Sequence, residues 1–496
     1  MKNTIIFTLV SCSSIFLYGQ DLSQGLIAND LMPHAMQPLA KPGYLQSVVD
    51  PSFGTTIIRI TDAGSGETIR TMYSTIQAWN ADETRMILYK RPGGTHILLD
   101  GFSYQYIRDL NINPSDIEEV YWHFEDPDLL YYLDNNNQDL VEYNVVLDSK
   151  TTLVNLRTLS GCTEGMESGN DVQMMSWDSD IFTFRCGNTS TYAYTISTGV
   201  LDIIAVTNLN FTAAMPLPSG QKYLHTKDIY NSDGTYDLTL DIESGNEHSC
   251  IGKDSGGNDQ YYAVAFAQSP GGGCLGEVIA YDPATGACTT IVGTELGYAY
   301  PQSGTHISSL AHKNTEGGWL VASMIGYDQD GQDLLDQELL IAQVNPNSSN
   351  VYRIAHHRSD EDEYNYWGEP HPVMSPSGTR VLFNSDWSGS DDGFAVDAYV
   401  VELPAYTTST ALNEEINLES NSITIFPNPV ESKVYIKGIS GNYNVRILDA
   451  TGNVYQTLMN ISAYSIDIED LPNGLFFLEI QKVGSSDLYL KKILKQ

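Results

Sequence analysis

The chain has 496 residues, of which 42% are hydrophobic, so it is long enough to bury a large core and to form more than one domain. It carries 62 acidic against 25 basic side chains, a formal net charge of −37 at pH 7. Such a surface repels nucleic acids and anionic membranes, which excludes both classes of partner. An anionic ligand would therefore need a pocket in which cationic side chains or a metal ion supply positive charge locally.

Residues 1–20 have the pattern of a secretory signal peptide. Lys2 precedes two apolar runs, Thr4–Val10 and Ser13–Gln20, which together give the charged start and apolar centre of such a segment. We therefore predict that the protein is exported. No later apolar run is long enough to span a bilayer, so no membrane span is expected.

From residue 21 to 404, a turn followed by a short apolar run recurs seven times. The spacing of about 35 to 65 residues overlaps the period of four-stranded propeller blades, and helical periodicity is almost absent. We predict an all-β fold, a seven-bladed β-propeller over residues 21–404. The apolar runs are Arg85–Tyr89, Leu129–Leu133, Ile181–Phe184, Lys222–His225, Tyr261–Phe266, Trp319–Ala322 and Arg380–Phe383.

Three histidines occupy matching positions in the last three repeats. His248, His306 and His371 each stand a few residues ahead of a glycine-containing turn that leads into an apolar run. Equivalent positions of a radially repeated fold converge on one axis, so these imidazoles are predicted to meet around one ion or one substrate. For each histidine taken alone, a hydrogen bond that ties adjacent blades is the structural alternative.

Five further side chains are candidates for contact with a substrate, and each has a structural alternative. An arginine at a strand end could bind a carboxylate or form an ordinary ion pair, and a tryptophan could stack on a sugar ring or belong to the core. A histidine or arginine ahead of the last repeat could line a pocket or lie in a solvated loop. The five are His123, Arg185, His357, Arg358 and Trp367.

Five cysteines remain after the predicted signal peptide. An odd number allows at most two disulfides in an oxidising compartment and leaves one thiol, and the sequence does not reveal the pairing. The five are Cys162, Cys186, Cys250, Cys274 and Cys288.

The C-terminal part reads as a separate module. Residues 405–421 have the polar composition of a linker, and residues 422–496 contain short alternating strands, the motifs Phe426–Pro429 and Leu471–Phe477, and a basic end. These motifs resemble the sorting domain that sends proteins of Bacteroidetes through the type IX secretion system. The resemblance implies a small β-sandwich, the secretion machinery as a partner, and a location in the medium or on the cell surface.

Two segments near the last histidines resemble the metal-binding blades of the oligogalacturonate lyase family. They are Thr305–Ser309 and Glu369–Asp386. The resemblance implies that His306 and His371 bind a divalent metal ion, which could be manganese, calcium or zinc. Glu369 stands where the family has a further histidine, and the family's glutamine ligand has no clear equivalent.

The same resemblance assigns a catalytic base. Glu247-His248-Ser249 is similar to the element that carries the family's catalytic histidine, which implies that His248 is the base. The arginine that the family has about 25 residues earlier is missing. Lys222 and His225 lie near that position instead and are the remaining catalytic candidates.

These features predict a secreted lyase that cleaves an anionic, uronic-acid-containing polysaccharide by β-elimination. Ulvan is the first choice of substrate, because export and strong acidity suggest a marine setting and two lyase families that act on ulvan have similar propellers. Pectic oligogalacturonides are the second choice. A non-catalytic propeller that binds surface glycans or serves as a scaffold is the alternative from another functional class.

Overall fold

The computed structural model describes residues 21–167, 173–206, 213–242, 248–265, 271, 273–298, 306–326, 330–346, 348–359, 365–388, 395–406, 424–427, 430, 432–437, 441–449, 454–462, 465–469, 471–483 and 488–495. The predicted signal peptide and nearly all of the predicted linker lie outside these residues. The chain divides into two compact units, Met1–Ala405 and Tyr406–Gln496.

The described part of the first unit consists of seven antiparallel sheets that follow one another along the chain. Two early strands, β1 (Ser47–Val49) and β2 (Thr56–Arg59), belong to the last of these sheets. The first sheet contains β3 (Thr68–Arg70), β4 (Arg85–Arg91), β5 (Thr95–Asp100) and β6 (Tyr106–Asp109). The second contains β7 (Tyr121–Trp122), β8 (Leu129–Leu133), β9 (Asp139–Asn144) and β10 (Ser149–Asn155). The third contains β11 (Met166–Glu167), β12 (Ile181–Cys186), β13 (Ser190–Thr195) and β14 (Val200–Val206).

The remaining sheets repeat this four-stranded pattern. The fourth contains β15 (Met215–Pro216), β16 (Lys222–His225), β17 (Asp228–Asn231) and β18 (Tyr236–Thr239). The fifth contains β19 (Ser249–Lys253), β20 (Asp259–Ala265), β21 (Gly276–Tyr281) and β22 (Cys288–Val292). The sixth contains β23 (Ile307–Ser308), β24 (Trp319–Met324), β25 (Glu338–Asn345) and β26 (Ser348–His356). The seventh joins β27 (Val373–Met374), β28 (Arg380–Ser385) and β29 (Asp397–Glu402) to β2 and β1.

The two ends of the first unit meet in the seventh sheet. Strand β2 pairs with β29 from Thr56 opposite Glu402 to Arg59 opposite Tyr399, so a strand from the start of the unit completes a sheet made from its end. The buried carboxylate of Asp397 reinforces this junction, because Arg59 Nε lies 3.0 Å from Oδ2. A ring of sheets closed in this way leaves few unpaired strand edges.

Apolar side chains fill the space between neighbouring sheets. Strands rich in β-branched and aromatic residues present both faces to such interfaces, which is why β24, β28 and β21 are buried along their whole length. The first strands of the fifth, sixth and seventh sheets are neighbours in space. Residues that directly precede these strands are therefore brought together.

Helices are few and short in the described part of the chain. They include α1 (Leu156–Ser160) and two 3-10 helices, Thr294–Leu296 and Asn365–Trp367, and residues 404–406 are also helical. No helix among the described residues has both the length and the apolar character that crossing a membrane requires. The prediction of an all-β fold is confirmed.

Two disulfides and one thiol account for the five cysteines. Cys162 pairs with Cys186 and Cys274 pairs with Cys288, while Cys250 is free and buried. Burial raises the pKa of the Cys250 thiol, so this residue stays protonated and unreactive near neutral pH.

The second unit has two sheets of its own. One contains β30 (Thr424–Phe426), β31 (Lys433–Lys437) and β34 (Ser465–Asp467), and the other contains β33 (Val454–Ile461), β32 (Tyr443–Asp449), β35 (Gly474–Lys482) and β36 (Leu488–Lys495). Side chains from both sheets, such as Ile436 and Ile447, form one buried apolar cluster. Two sheets that share a core in this way form a small β domain.

Candidate metal centre and active site

The three histidines of the last repeats meet in the first unit. His248 and His306 directly precede β19 and β23, and His371 lies two residues before β27. The imidazole centroids of His306 and His371 are 3.8 Å apart and those of His248 and His306 are 4.8 Å apart. Residues separated by more than a hundred positions in sequence thus form one cluster.

Two of these histidines have an unusual backbone conformation. His248 and His371 have φ angles of 48° and 39°, in the left-handed region that residues other than glycine seldom adopt. Such conformations cost about 1–3 kcal/mol and persist where the surroundings enforce them, often at functional sites.

Glu369 joins two of the histidines to form a group that could hold a metal ion. Its Oε2 lies 3.1 Å from His371 Nε2 and 3.5 Å from His306 Nε2. One possible ligand atom from each of the three side chains lies within 4.8 Å of the others. We refer to His306, Glu369 and His371 as the His–His–Glu triad. The side chain of Glu369 is 21% exposed, whereas both histidines are buried, so the triad faces solvent at Glu369.

The chemistry of the triad fits a divalent cation. Burial, reinforced by neighbouring positive charge, lowers the pKa of His306 and of His371 well below the usual value, so both imidazoles are neutral and keep a lone pair for a metal. The Nδ1 atoms of both are buried without a hydrogen-bond partner among the described residues. Two imidazoles and one carboxylate suit zinc or manganese better than calcium, which prefers oxygen ligands alone.

Arg70 lies beside the triad, and sequence reasoning missed it. It ends β3, and its Nη1 donates to the backbone oxygen of Tyr366 at 2.7 Å. Its side chain is 0% exposed, and its charge helps to lower the pKa of both triad histidines after the larger effect of burial. Arg70 could have been found from its position in the first repeat, which is equivalent to the positions of the three histidines in the last three repeats.

A partly buried carboxylate, that of Glu118, holds two tyrosines next to Arg70. Tyr366 donates its hydroxyl to Glu118 Oε2 at 2.7 Å, and Tyr89 donates to Glu118 Oε1 at 3.0 Å. Burial raises the pKa of Tyr366 and of Tyr89, with a further contribution from Glu118, so both phenols remain protonated. The Tyr366 hydroxyl is therefore committed to Glu118.

Tyr73 packs against the triad from another side. Its ring meets His371 and His306 edge-on, with centroid distances of 4.8 and 5.5 Å. The ring fixes the orientation of both imidazoles and brings a phenol to the cluster.

The remaining catalytic candidates lie at opposite ends of one short strand. His225 ends β16 and is buried, near the start of β15 because Leu224 pairs with Met215. In a ring of sheets this is the end at which His248 precedes β19. Lys222 begins β16 at the other end, and its Nζ lies 2.5 Å from Asp237 Oδ2.

Arg185 lies near the end of β12, opposite Glu167 of β11. Its Nη1 donates to the backbone oxygen of Gly187 at 3.2 Å and to Asn188 Oδ1 at 3.1 Å. These two contacts hold the side chain against the turn that follows β12.

Two substrate-binding candidates of the sixth sheet are held by other parts of the protein. The Nε2 of His357 lies 3.1 Å from the Met324 oxygen, and Ser359 N donates to Nδ1, so both ring nitrogens are occupied. Burial lowers the pKa of His357 to about 3. Arg358 donates to the backbone oxygen of Gln37 at 2.9 Å.

The last two candidates, Trp367 and His123, lie in different places. The guanidinium carbon of Arg91 is 3.5 Å from the centre of the Trp367 ring, and that of Arg70 is 5.8 Å from it, so Trp367 belongs to the surroundings of the triad. His123 follows β7 and accepts backbone N–H bonds from Glu125 and Asp126 at 3.0 Å, which caps a turn.

Comparison with known proteins gives separate results for the two units. Residues 424–496 match the model of a secretion system C-terminal sorting domain. No curated protein matches the chain. A solved oligogalacturonate lyase in complex with manganese is similar over 75% of this chain and 99% of its own, with a TM-score of 0.52 and 16% identity. An oligogalacturonate lyase from Vibrio parahaemolyticus is similar over 72% and 96%, with a TM-score of 0.50 and 15% identity.

These comparisons establish the fold and the destination of the protein. The sorting domain directs the chain through the type IX secretion system to the cell surface or the extracellular space, as the sequence predicts. The structural likeness confirms a propeller-like body followed by a C-terminal β domain. At 15–16% identity it is a likeness of fold.

Proposed function

We propose that this chain is a secreted polysaccharide lyase that cleaves a uronic-acid-containing chain by β-elimination with the help of a divalent metal ion. The observation that carries the proposal is the convergence of His248, His306, His371 and Glu369 in a fold shared with oligogalacturonate lyases. The alternative interpretation, a propeller that only binds glycans, does not require a basic imidazole beside such a triad.

The chemistry requires neutralisation of a carboxylate. In β-elimination a base removes the proton at C5 of the uronate, next to the carboxylate, and the oxygen at C4 leaves. The triad residues His306, Glu369 and His371 would hold the metal ion. A bound divalent cation would supply Lewis-acid stabilisation of the negative charge that develops on the carboxylate oxygens.

His248 is the proposed base. It lies against His306 and outside the triad, and its buried Nδ1 has no hydrogen-bond partner among the described residues. A neutral imidazole can accept the C5 proton, and imidazole bases work near neutral pH. Tyr73 is the proposed acid for the leaving oxygen, because its ring touches two of the triad imidazoles.

Two polymers are the proposed substrates to compare. The likeness to oligogalacturonate lyases supports pectic galacturonan. Export through a secretion system suits a large extracellular polymer such as ulvan. The uronate carboxylate is the group that both polymers share.

The test is the ultraviolet absorbance of the unsaturated sugar that elimination creates. Purified protein is incubated with ulvan, pectate, alginate or glucuronan, with and without added manganese. We expect product from at least one polymer, and a decrease of about 10²- to 10⁴-fold in His248→Ala. His34→Ala serves as the control, because His34 is 31% exposed and pairs with Asp30. If the protein binds a polysaccharide but forms no product from any polymer, the lyase proposal is refuted in favour of a glycan-binding protein.

A further inference from the structure

One hydrogen-bonding edge of Arg70 has no partner among the described residues. Its Nη1 is bound to the Tyr366 backbone oxygen, while Nε and Nη2 are buried without a hydrogen-bond partner among the described residues. Leaving charged donors buried and unpaired is energetically costly, so this edge of Arg70, which lies beside the triad, is a candidate for contact with a ligand. Nε and Nη2 lie on the same side of a guanidinium and form the pair that binds a carboxylate with two parallel bonds.

Other arginines of this chain show what this edge does. The Nε and Nη2 of Arg353 bind the two oxygens of Glu338, both at 2.5 Å. The Nε and Nη2 of Arg59 lie 3.0 and 2.9 Å from Asp397 Oδ2. In both cases a carboxylate of the protein occupies the edge that is free in Arg70.

The charges around Arg70 favour an anion from outside the chain. Burial alone would lower the pKa of Arg70, but Tyr89, Tyr366, Glu118 and Glu369 raise it, so the guanidinium is charged. Glu118 is already engaged by Tyr366 and Tyr89. A cation in the triad would add positive charge next to Arg70, and an anion that touches both relieves this repulsion.

We propose that Arg70 and the His–His–Glu triad together form a carboxylate-binding site, in which Nε and Nη2 of Arg70 bind the carboxylate of a hexuronate. The inference rests on the proposed function for its choice of ligand. The rings of Tyr366 and Trp367 lie over the guanidinium at 5.1 and 5.8 Å, and Glu369, whose charge acts on Arg70, is the partly exposed member of the triad. Arg70 thus selects acidic over neutral sugars.

The test measures binding by calorimetry, with D-galacturonate as the probe and D-galactose as its neutral counterpart. In the full chain with manganese we expect Arg70→Met to weaken galacturonate binding by about 10- to 100-fold, the contribution of a bidentate charge-assisted pair. Arg70→Lys keeps the positive charge but loses the pair of parallel donors. Its affinity for galacturonate should therefore lie between that of the original chain and that of Arg70→Met. Galactose binding and the amount of bound manganese should stay the same. Arg85→Met is the matched control, since Arg85 lies on β4 of the same sheet and pairs with Asp128.

Three results would overturn the proposal. They are galacturonate affinity within about twofold of the original chain in Arg70→Met, an equal loss in Arg85→Met, and loss of manganese from Arg70→Met. If both Arg70 variants fail to fold, the same calorimetry is done on the original chain after a chelator has removed the metal. It should still prefer galacturonate over galactose by more than about tenfold, and equal affinity refutes the role of Arg70.

The outcome also separates this inference from the lyase proposal. If no polymer is cleaved but galacturonate binding depends on Arg70, the carboxylate site stands and the lyase does not. If Arg70→Met cleaves pectate or ulvan at the rate of the original chain, the lyase proposal stands and the proposed carboxylate-binding site is refuted.

Discussion

Metal binding should raise the melting temperature of the first unit by an amount that can be worked out. A ligand at 100 times its Kd stabilises the folded state by about 2.7 kcal/mol. With an unfolding entropy of about 2.1 cal/mol/K per residue, the first unit without the predicted signal peptide, residues 21–405 or about 385 residues, has an unfolding entropy near 0.8 kcal/mol/K. The expected increase in Tm is therefore about 3 °C.

Removing one triad ligand should abolish this increase. If His371→Ala or Glu369→Ala weakens the metal about 100-fold, the same concentration equals the Kd and stabilises by about 0.4 kcal/mol, or about 0.5 °C. Differential scanning calorimetry with manganese, zinc or calcium measures both values. His34→Ala should behave like the original chain, because this residue lies outside the triad.

The test of the triad is the difference in the metal-induced increase in Tm between the original chain and the triad variants. The increase in the original chain taken alone does not test it. A chain with a net charge of −37 collects divalent cations weakly over its whole surface, and this effect is common to all variants. An equal increase in His371→Ala and in the original chain, or no saturable increase with any of the three metals, would refute the triad as a metal site.

Three further predictions concern acidity, a disulfide and the proposed acid. Burial raises the pKa of Glu277 to about 7, so its contribution to stability is complete below about pH 4.5 and is lost as the pH rises through 7. Glu277→Gln should therefore increase the free energy of unfolding in urea by about 2–3 kcal/mol near pH 8.5 and hardly at all near pH 4.5, unlike the exposed Glu295→Gln. Replacing Cys162 and Cys186 by alanine opens a loop with a sequence separation of 24 and should cost about 3 kcal/mol in the same assay. Tyr73→Phe should lower kcat by about 10²-fold with an unchanged metal content, and an unchanged kcat would exclude Tyr73 as the acid.

The repeats explain why part of the site was predictable. His248, His306 and His371 stand at equivalent positions of successive repeats, and the closed arrangement of sheets converts equivalence in sequence into proximity in space. Glu369 was found through the resemblance to the metal-binding blades of oligogalacturonate lyases, because it stands where they have a further histidine. The convergence of the three histidines needed only the period of the repeats and no knowledge of side-chain packing.

Arg70 and Lys222 show where that reasoning stops. Arg70 belongs to the first repeat, and fourteen residues separate β3 from β4, so the apolar run that marks the repeat does not reveal where its inner strand begins. Lys222 and His225 are three residues apart, yet a strand places them at opposite ends of the sheet. The number of residues between two positions does not tell how far apart they lie across the ring of sheets. It also does not tell at which end of a strand a side chain lies.

The local balance of charge would allow a strongly acidic chain to bind an acidic sugar at this place. Arg70 and Arg91 lie on the two rings of the Tyr366–Trp367 pair, and Glu118 and Glu369 stand close to Arg70, so two positive and two negative side chains nearly cancel. A divalent cation in the triad would then leave this group with a net positive charge. Elsewhere the excess of acidic residues repels the polymer, over a distance that salt reduces to about 8 Å or less. A metal ion in the triad would thus supply both Lewis-acid stabilisation of the carboxylate and part of the positive charge that attracts it, in addition to the charge of Arg70.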